Sequence, residues 1–290
     1  MPGKYKYSLL EYFLFLPFPL SPKKLRAELA GKTVLITGAS YGIGESLAYM
    51  LADTRAHLLL VARTEEKLAE VKTRIEQRGG KATIYPTDLS KQEQVEQLTY
   101  TLLQIPGGID IIVNNAGRSI RRSIKDSLGR YHDFTRTMAI NYFGPVQLTL
   151  SLIPVVEKNK GHIINISALN VLLAPAPYWA AYQASKAAFD NWFRCAIPEL
   201  NAWGIKTTAI YFPLVRTRMS APTAAYSNVP AMSPEHAATI ICRSIINKNR
   251  IYRPWWLFFG QLASLLFWRP WMALNTHYLK RKPLHAEGAK

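Results

Sequence analysis

Tyr182 and Lys186 are four residues apart, a spacing that puts both side chains on one face of a helix. A free tyrosine loses its proton near pH 10, so a lone phenol exchanges protons poorly at neutral pH. A neighbouring ammonium stabilises the phenolate and draws that value toward the working range, making Tyr182 a proton donor tuned by Lys186. Ser167 closes the apolar run His162–Ser167, and ligands of open α/β sheets bind at the carboxyl ends of such strands. Upstream, Thr37-Gly38-Ala39-Ser40-Tyr41-Gly42-Ile43-Gly44 joins a β-branched run to a helix-periodic segment. A tight turn alone would explain the glycines. Their place at the first strand–helix junction points further, to a backbone that approaches a pyrophosphate beside a helix N-terminus.

These groups need a scaffold, and the chain alternates strand and helix patterns to supply one. Thr33–Thr37, Leu58–Ala62, Ala82–Thr87, Ile109–Val113, His162–Ser167 and Lys206–Phe212 read as short buried strands, with Arg250–Arg253 as a last one. Helical stripes lie between them, such as Ile43, Leu47 and Leu51, or Val95, Leu98 and Leu102. Thr64 is a candidate helix cap, Ser90-x-x-Glu93 a candidate capping box, and Ser233-Pro234-Glu235 a third helix start. A long helical region is expected over Tyr131–Val156 and another over Tyr182–Leu200. The alternation predicts an α/β, Rossmann-like doubly wound parallel sheet in a single domain of residues 31–253. Residues 1–30 and 254–290 are extensions.

Four motifs in order carry a resemblance. TGxxxGxG, then Asn114-Asn115-Ala116-Gly117, then Ser167, then Tyr182-x-x-x-Lys186 resemble the short-chain dehydrogenase/reductase family from about Gly31 to Arg253. The resemblance implies NAD(P)-dependent oxidoreduction, with catalytic Asn141, Ser167, Tyr182 and Lys186. Ser167 would hydrogen-bond the substrate oxygen, Lys186 would also hold the nicotinamide ribose, and Asn141 would support a proton-relay water. For the cofactor it implies the glycine loop (Gly38, Ser40, Tyr41, Gly42, Ile43, Gly44), Asp88 and Leu89 near adenine, Asn115, Ala116 and Gly117, and Pro213 with Thr217 near the nicotinamide. Homodimers or homotetramers built through long helices are also implied. Two departures bear on the substrate. Ser167 and Tyr182 lie about two positions further apart than is common in the family, and Pro213-Leu214 replaces the commoner proline-glycine.

Arg63 bears on cofactor choice. An acid after the second strand would hold the ribose hydroxyls of NAD and repel a 2′-phosphate, whereas Ala62-Arg63-Thr64 offers a guanidinium, which favours NADP(H). The net charge of +17 suits phosphate-bearing ligands, an acidic partner or an anionic membrane. Nucleic acid is not expected, since no reading module is recognisable. No metal site is expected, because the histidines lack ligand spacing. With two cysteines and no CxxC, a reducing, cytoplasmic setting is expected. Both ends are apolar and flanked by cations: Tyr12–Leu20 beside Lys4, Lys6, Lys23 and Lys24, and Trp255–Trp268 before Lys280-Arg281-Lys282. Each is shorter than the roughly 20 residues of a membrane span. They suit peripheral contact with a cytoplasmic membrane face, a lid, or a subunit interface. A basic cluster (Arg118, Arg121, Arg122, Lys125, Arg130, Arg136) is either a solvated face or a docking site for a phosphate-rich partner such as a coenzyme A thioester. The leading expectation is an NADPH-dependent reductase of a hydrophobic ketone or aldehyde, lipid or acyl chain. The alternatives are an NADP-dependent dehydrogenase of a steroid-like alcohol and a non-catalytic NADP-binding scaffold.

Overall fold

The computed structural model describes residues 6–281 apart from 222, 224 and 225; Lys4 and Lys282 lie outside the described residues. Two short helices, α1 (Leu9–Leu14) and α2 (Pro22–Leu29), lead into β1 (Thr33–Thr37). Then follow α3 (Gly42–Leu51), β2 (His57–Ala62), α4 (Glu65–Glu76), β3 (Lys81–Pro86), α5 (Gln92–Leu103) and β4 (Ile111–Asn114). The second half comprises α6 (Tyr131–Met138), α7 (Gly144–Lys158), β5 (His162–Ala168), α8 (Ala180–Ala202), β6 (Lys206–Phe212), α9 (Pro234–Asn247), β7 (Ile251–Tyr252), α10 (Leu257–Leu266) and α11 (Trp268–Arg281). All seven strands pair in parallel in the order β3-β2-β1-β4-β5-β6-β7. The strand order reverses between β1 and β4, and the crevice at that switch point is where such sheets receive a dinucleotide.

The central strands are buried along nearly all of their length because both faces are covered. Alternate residues still divide between two layers. Val34, Ile36, Leu58, Leu60, Ile164 and Ile210 join the core under α2, α3, α4 and α9, while Leu35, Leu59, Ile112, Ile163 and Tyr211 join that under α5, α7 and α8.

Local chemistry changed two of the expected helices and left a third start without its side-chain bond. The Ser90 capping box does not form: Asp88 Oδ1 accepts from Ser90 N at 3.0 Å and Oγ at 2.7 Å, so α5 starts later, with Lys91 at its cap. Thr64 stands at the cap position of α4 without a side-chain hydrogen bond. The expected Tyr131–Val156 helix is interrupted by a π-helical turn over Ala139–Phe143. Pro145 has no N–H for the carbonyl four residues back, which is that of Asn141, and π turns of this kind recur at functional sites. The Ser233 cap forms as expected, accepting from His236 N at 3.1 Å.

The N-terminal segment is packed onto this domain. Phe15, Leu25 and Leu29 enter the core, and Glu11 is buried although it belongs to a six-residue helix. Its carboxylate accepts from Ser8 N, Ala231 N and Arg216 Nη2, at 3.0, 3.2 and 3.0 Å. Burial pushes this carboxyl up, but those donors outweigh it and hold it at about 2, against an ordinary 4.5. A depressed carboxyl contributes stability that is complete above its unfolded value and is lost as pH falls through the folded one. Acid denaturation followed by circular dichroism is therefore expected to show a stability loss developing between about 4.5 and about 2. Glu11→Gln should lower stability at neutral pH and flatten that acid-dependent part; an unchanged acid profile would refute the role given to Glu11.

Candidate active site

The cradle at the β1–β4 switch point is built around one hydroxyl. Thr37 Oγ1 accepts from Asn115 N and Ala116 N, both at 3.0 Å, and donates to Val113 O at 3.3 Å. Asn115 Nδ2 returns the link, donating to Thr37 O at 2.9 Å and Gly38 O at 3.3 Å. Gly38 must be glycine here: its φ is +68°, and an added Cβ would lie 2.9 Å from Ala116 Cα. Gly42, at φ +61°, faces Thr217, whose Cγ2 would be 2.9 Å from a Cβ. The glycine loop, Asn115–Gly117 and Thr217 are thus brought into one cleft, with Gly44 buried in the first turn of α3. Backbone that bare at a helix start can accept a pyrophosphate. Pro213 is buried behind this wall, and Arg218 stacks on Tyr41 at 4.7 Å from ring centre to guanidinium carbon.

Two residues beyond Ala116, a second set of hydrogen bonds reaches α8. Asn141, 1% exposed in the π turn, accepts from Arg118 N at 2.8 Å and donates to Arg118 O at 2.9 Å and Ser185 Oγ at 2.8 Å. Ser185 Oγ in turn donates to Tyr182 O at 2.8 Å. The Asn141 side chain therefore ties the loop after β4 to the first turns of α8. Ser185 was not singled out from sequence, although it stands directly before Lys186.

Tyr182 and Lys186 share the inward face of α8, as their spacing predicts. Lys186 Nζ donates to Ile166 O at 2.7 Å, which fixes the amine over the carboxyl end of β5, next to Ser167. Ser167 Oγ is buried and has no hydrogen-bond partner of good geometry among the described residues. It is a donor available to a substrate oxygen.

The electrostatics differ from the sequence expectation. Burial raises the Tyr182 phenol, with Tyr226 adding to the rise, and Lys186 does not draw it down in this structure. The amine is directed to a carbonyl, and burial lowers its own value to about 8 despite the opposing pull of Asp190. A phenol kept protonated is the form that gives a proton to a carbonyl undergoing reduction.

The rim is aromatic and cationic. Trp179, at the start of α8, meets Tyr182 edge-on at 6.0 Å and stacks on Tyr226 at 5.5 Å. Tyr178 holds a left-handed backbone, φ 72°, stabilised by Arg122 N donating to its carbonyl at 2.8 Å. Arg121 lies over its ring at 4.6 Å. Arg122, Arg130 and Arg136 converge on the buried Asp133, so half the sequence's basic cluster shares one carboxylate. Arg118 is lowered by burial and by the charges of Arg136 and Arg63, so these cations gather at one end of the cleft. Arg63 is exposed after β2, and Asp88 is used in the turn before α5, with buried Leu89 beside it.

The profile of the short chain dehydrogenase family matches residues 32–227. The chain belongs to that family. It is an oxidoreductase of the short-chain dehydrogenase type, and the structure brings Ser167, Tyr182 and Lys186 together at the carboxyl end of β5. Among similar members is a fatty acyl-CoA reductase of Acinetobacter baylyi, 47% identical over 243 residues, covering 83% of this chain and 81% of that protein. A fatty acyl-CoA reductase of Mycobacterium tuberculosis is 42% identical over 228 residues, covering 76% and 78%. A metagenomic short-chain oxidoreductase solved with NADP superposes with a TM-score of 0.67 at 27% identity, covering 78% of this chain and 97% of that one.

Replacing the Thr37 hydroxyl should expose how much of the short-chain dehydrogenase cradle hangs on it. Thr37→Val leaves two backbone N–H groups unpaired, at about 1–3 kcal/mol each. The urea midpoint is expected to fall, and Thr37→Ser should recover most of the loss. Equal midpoints for the valine variant and the wild type would contradict this account.

Proposed function

We propose that this oxidoreductase uses NADPH to reduce the carbonyl of a long-chain fatty acyl-CoA at a membrane surface. The observation that carries the reading is the continuity between the catalytic helix and an exposed apolar surface. Gln183, beside Tyr182, donates to Asn170 O at 2.6 Å and accepts from Ala176 N at 3.3 Å, binding the 169–179 segment to α8. On its other side that segment holds the C-terminal helices: Ala174 N donates to Ser264 Oγ, and Trp271 Nε1 to Pro175 O, both at 3.0 Å. From there Phe258, Phe259, Leu262, Leu265 and Leu266 face outward. Phe13 joins them through an edge contact with Trp255 at 5.0 Å, and Trp255 Nε1 donates to Phe13 O at 3.2 Å. An apolar patch of this kind, with Arg269, Lys280 and Arg281 close in sequence on a chain of charge +17, suits an anionic lipid surface. The names of the two reductase relatives agree with an acyl substrate.

Cofactor choice follows from charge. Arg63 and Arg118 would hold the 2′-phosphate, and the cradle would hold the pyrophosphate. Bound there, NADPH supplies the hydride. The residues of the chain do the rest. Ser167 and Tyr182 donate hydrogen bonds to the carbonyl oxygen, and the Trp179–Tyr226 stack keeps water from the reacting carbon. With a thioester, the C–S bond breaks as a C–H bond forms, giving an aldehyde, the free thiol and NADP⁺, with one proton consumed. The arginine-rich rim suits the phosphates of the leaving coenzyme.

The test is a panel of long-chain acyl-CoAs, aldehydes and steroid ketones, with NADPH oxidation measured for wild type and Tyr182→Phe. Palmitoyl-CoA should be turned over, and the variant should lose about 10²–10⁴ in rate while still binding NADPH. Full activity in the variant would end the mechanism, and preference for a steroid ketone would overturn the substrate. Separately, Phe259→Ser with Leu265→Ser should weaken flotation with phosphatidylglycerol vesicles. Undiminished flotation would remove the membrane role from α10.

A further inference from the structure

Asp190 lies one helical turn beyond Lys186 on the same face of α8, and it is 2% exposed. Its Oδ2 accepts from the Tyr211 hydroxyl at 3.3 Å, and its Oδ1 has no hydrogen-bond partner among the described residues. Tyr211 is 1% exposed and pairs in register with Ser167 on the neighbouring strand. Burial raises the Asp190 carboxyl, and the hydroxyls of Ser167 and Tyr211 with the cations Arg194 and Lys186 oppose the rise. An acid has thus been placed in the core, under the two catalytic groups that reach it from β5 and α8. Burying a carboxyl with so few donors is costly, and an apolar residue would pack in this layer without that cost. Nothing in the sheet or helix packing calls for it.

The neighbouring amine does. Lys186 is 9% exposed and has one hydrogen bond, to a neutral carbonyl. We propose that Asp190 is a positioning residue of the catalytic centre, whose carboxylate keeps the buried Lys186 ammonium charged. The groups facing this pair can be named element by element. On α8 it is Arg194, on β5 Ser167 with the Ile166 carbonyl, and on β6 Tyr211. Asp190 is the acid that acts on Lys186, opposing the loss of charge that burial imposes. Tyr211 has the smaller part of holding the carboxyl in place. The consequence for turnover rests on the reductase reading above; the charge state of Lys186 does not.

Two readouts keep those apart. In the full-length protein labelled with ¹³Cε-lysine, the Lys186 resonance is assigned by its loss in Lys186→Arg and titrated by NMR. In the wild type it should titrate near 8. Asp190→Asn removes the charge without changing the shape, so the value should fall by roughly one pH unit or more. On the reductase reading the charged amine donates to the nicotinamide ribose, so activity should decline as pH rises through that value, and the variant's alkaline limb should move to lower pH. A one-unit shift makes the rate at about pH 8 roughly fivefold lower than wild type. Tyr211→Phe, which keeps the ring, should move both readouts in the same direction by less, and it decides the matter if Asp190→Asn fails to fold. An unmoved Lys186 titration in the folded variants overturns the proposal, even if they are less stable. A wild type inactive on every carbonyl would sink the reductase reading and leave the NMR test standing.

Discussion

Two sets of hydrogen bonds, joined by the backbone from Ala116 to Arg118, connect the β1–β4 switch point of this molecule to α8. The first centres on the Thr37 hydroxyl, which pairs the N–H groups of Asn115 and Ala116 where β1 and β4 end. The second passes from the Arg118 backbone to the Asn141 side chain, then to Ser185 and the carbonyl of Tyr182. Each link satisfies a buried polar group that would otherwise cost about 1–3 kcal/mol. The same links set the distance between the cradle and the phenol. Cofactor and acid must meet a substrate atom together, and small errors in such placement are expensive in rate. Stability and alignment are therefore served by the same bonds.

The molecule buries several charges and resolves each one differently. Glu11 collects enough donors that its carboxyl stays ionised far into acid. Asp133 is held low against its burial by three guanidiniums, which pins the loop after β4 to α6. Both act as structural anchors with a complete set of partners. Lys186 and Asp190 are different. Each has too few partners to hold its charge comfortably, and burial moves the lysine down and the aspartate up. Such half-satisfied groups cluster at functional sites, where a group must change state during the reaction.

The alternation of strands and helices, the glycine loop and the Tyr182–Lys186 face are readable because each is local: a period, a turn residue, a helical spacing. What escaped was set by contacts distant in sequence or by competition between neighbours. Ser90 has the form of a cap, but Asp88 is a closer partner for its hydroxyl. Pro145 gave no warning of a π turn, because the free carbonyl it creates belongs to Asn141. The helical spacing points to Lys186 as the group that tunes Tyr182, whereas in the finished fold burial raises the phenol and the amine is turned to the Ile166 carbonyl. Asp190 did leave a trace, an acid four residues after Lys186 on an inward face. Its meaning depends on Tyr211, which only the register of β5 and β6 supplies.

The two chain ends look like appendages in the sequence, yet they are tied to the walls of the site. Glu11 grips Arg216 and the backbone of Ala231, at either end of the loop after β6. That loop carries Thr217, which packs on Gly42, and Tyr226, which stacks on Trp179. The C-terminal helices hold the opposite wall through Pro175 and Ala174. Trp255 and Trp256 then join the two ends by donating to Phe13 and Leu14 carbonyls. The apolar outer surface is thereby tied by hydrogen bonds both to the 169–179 segment and to the N-terminal helix that holds the loop after β6. The buried sheet between them stays fixed, since its strands are locked on both faces. The ends are thus built into the loops around Tyr182, while the hydrogen bonds of Ser185 and Lys186 hold the inward face of α8 independently of them.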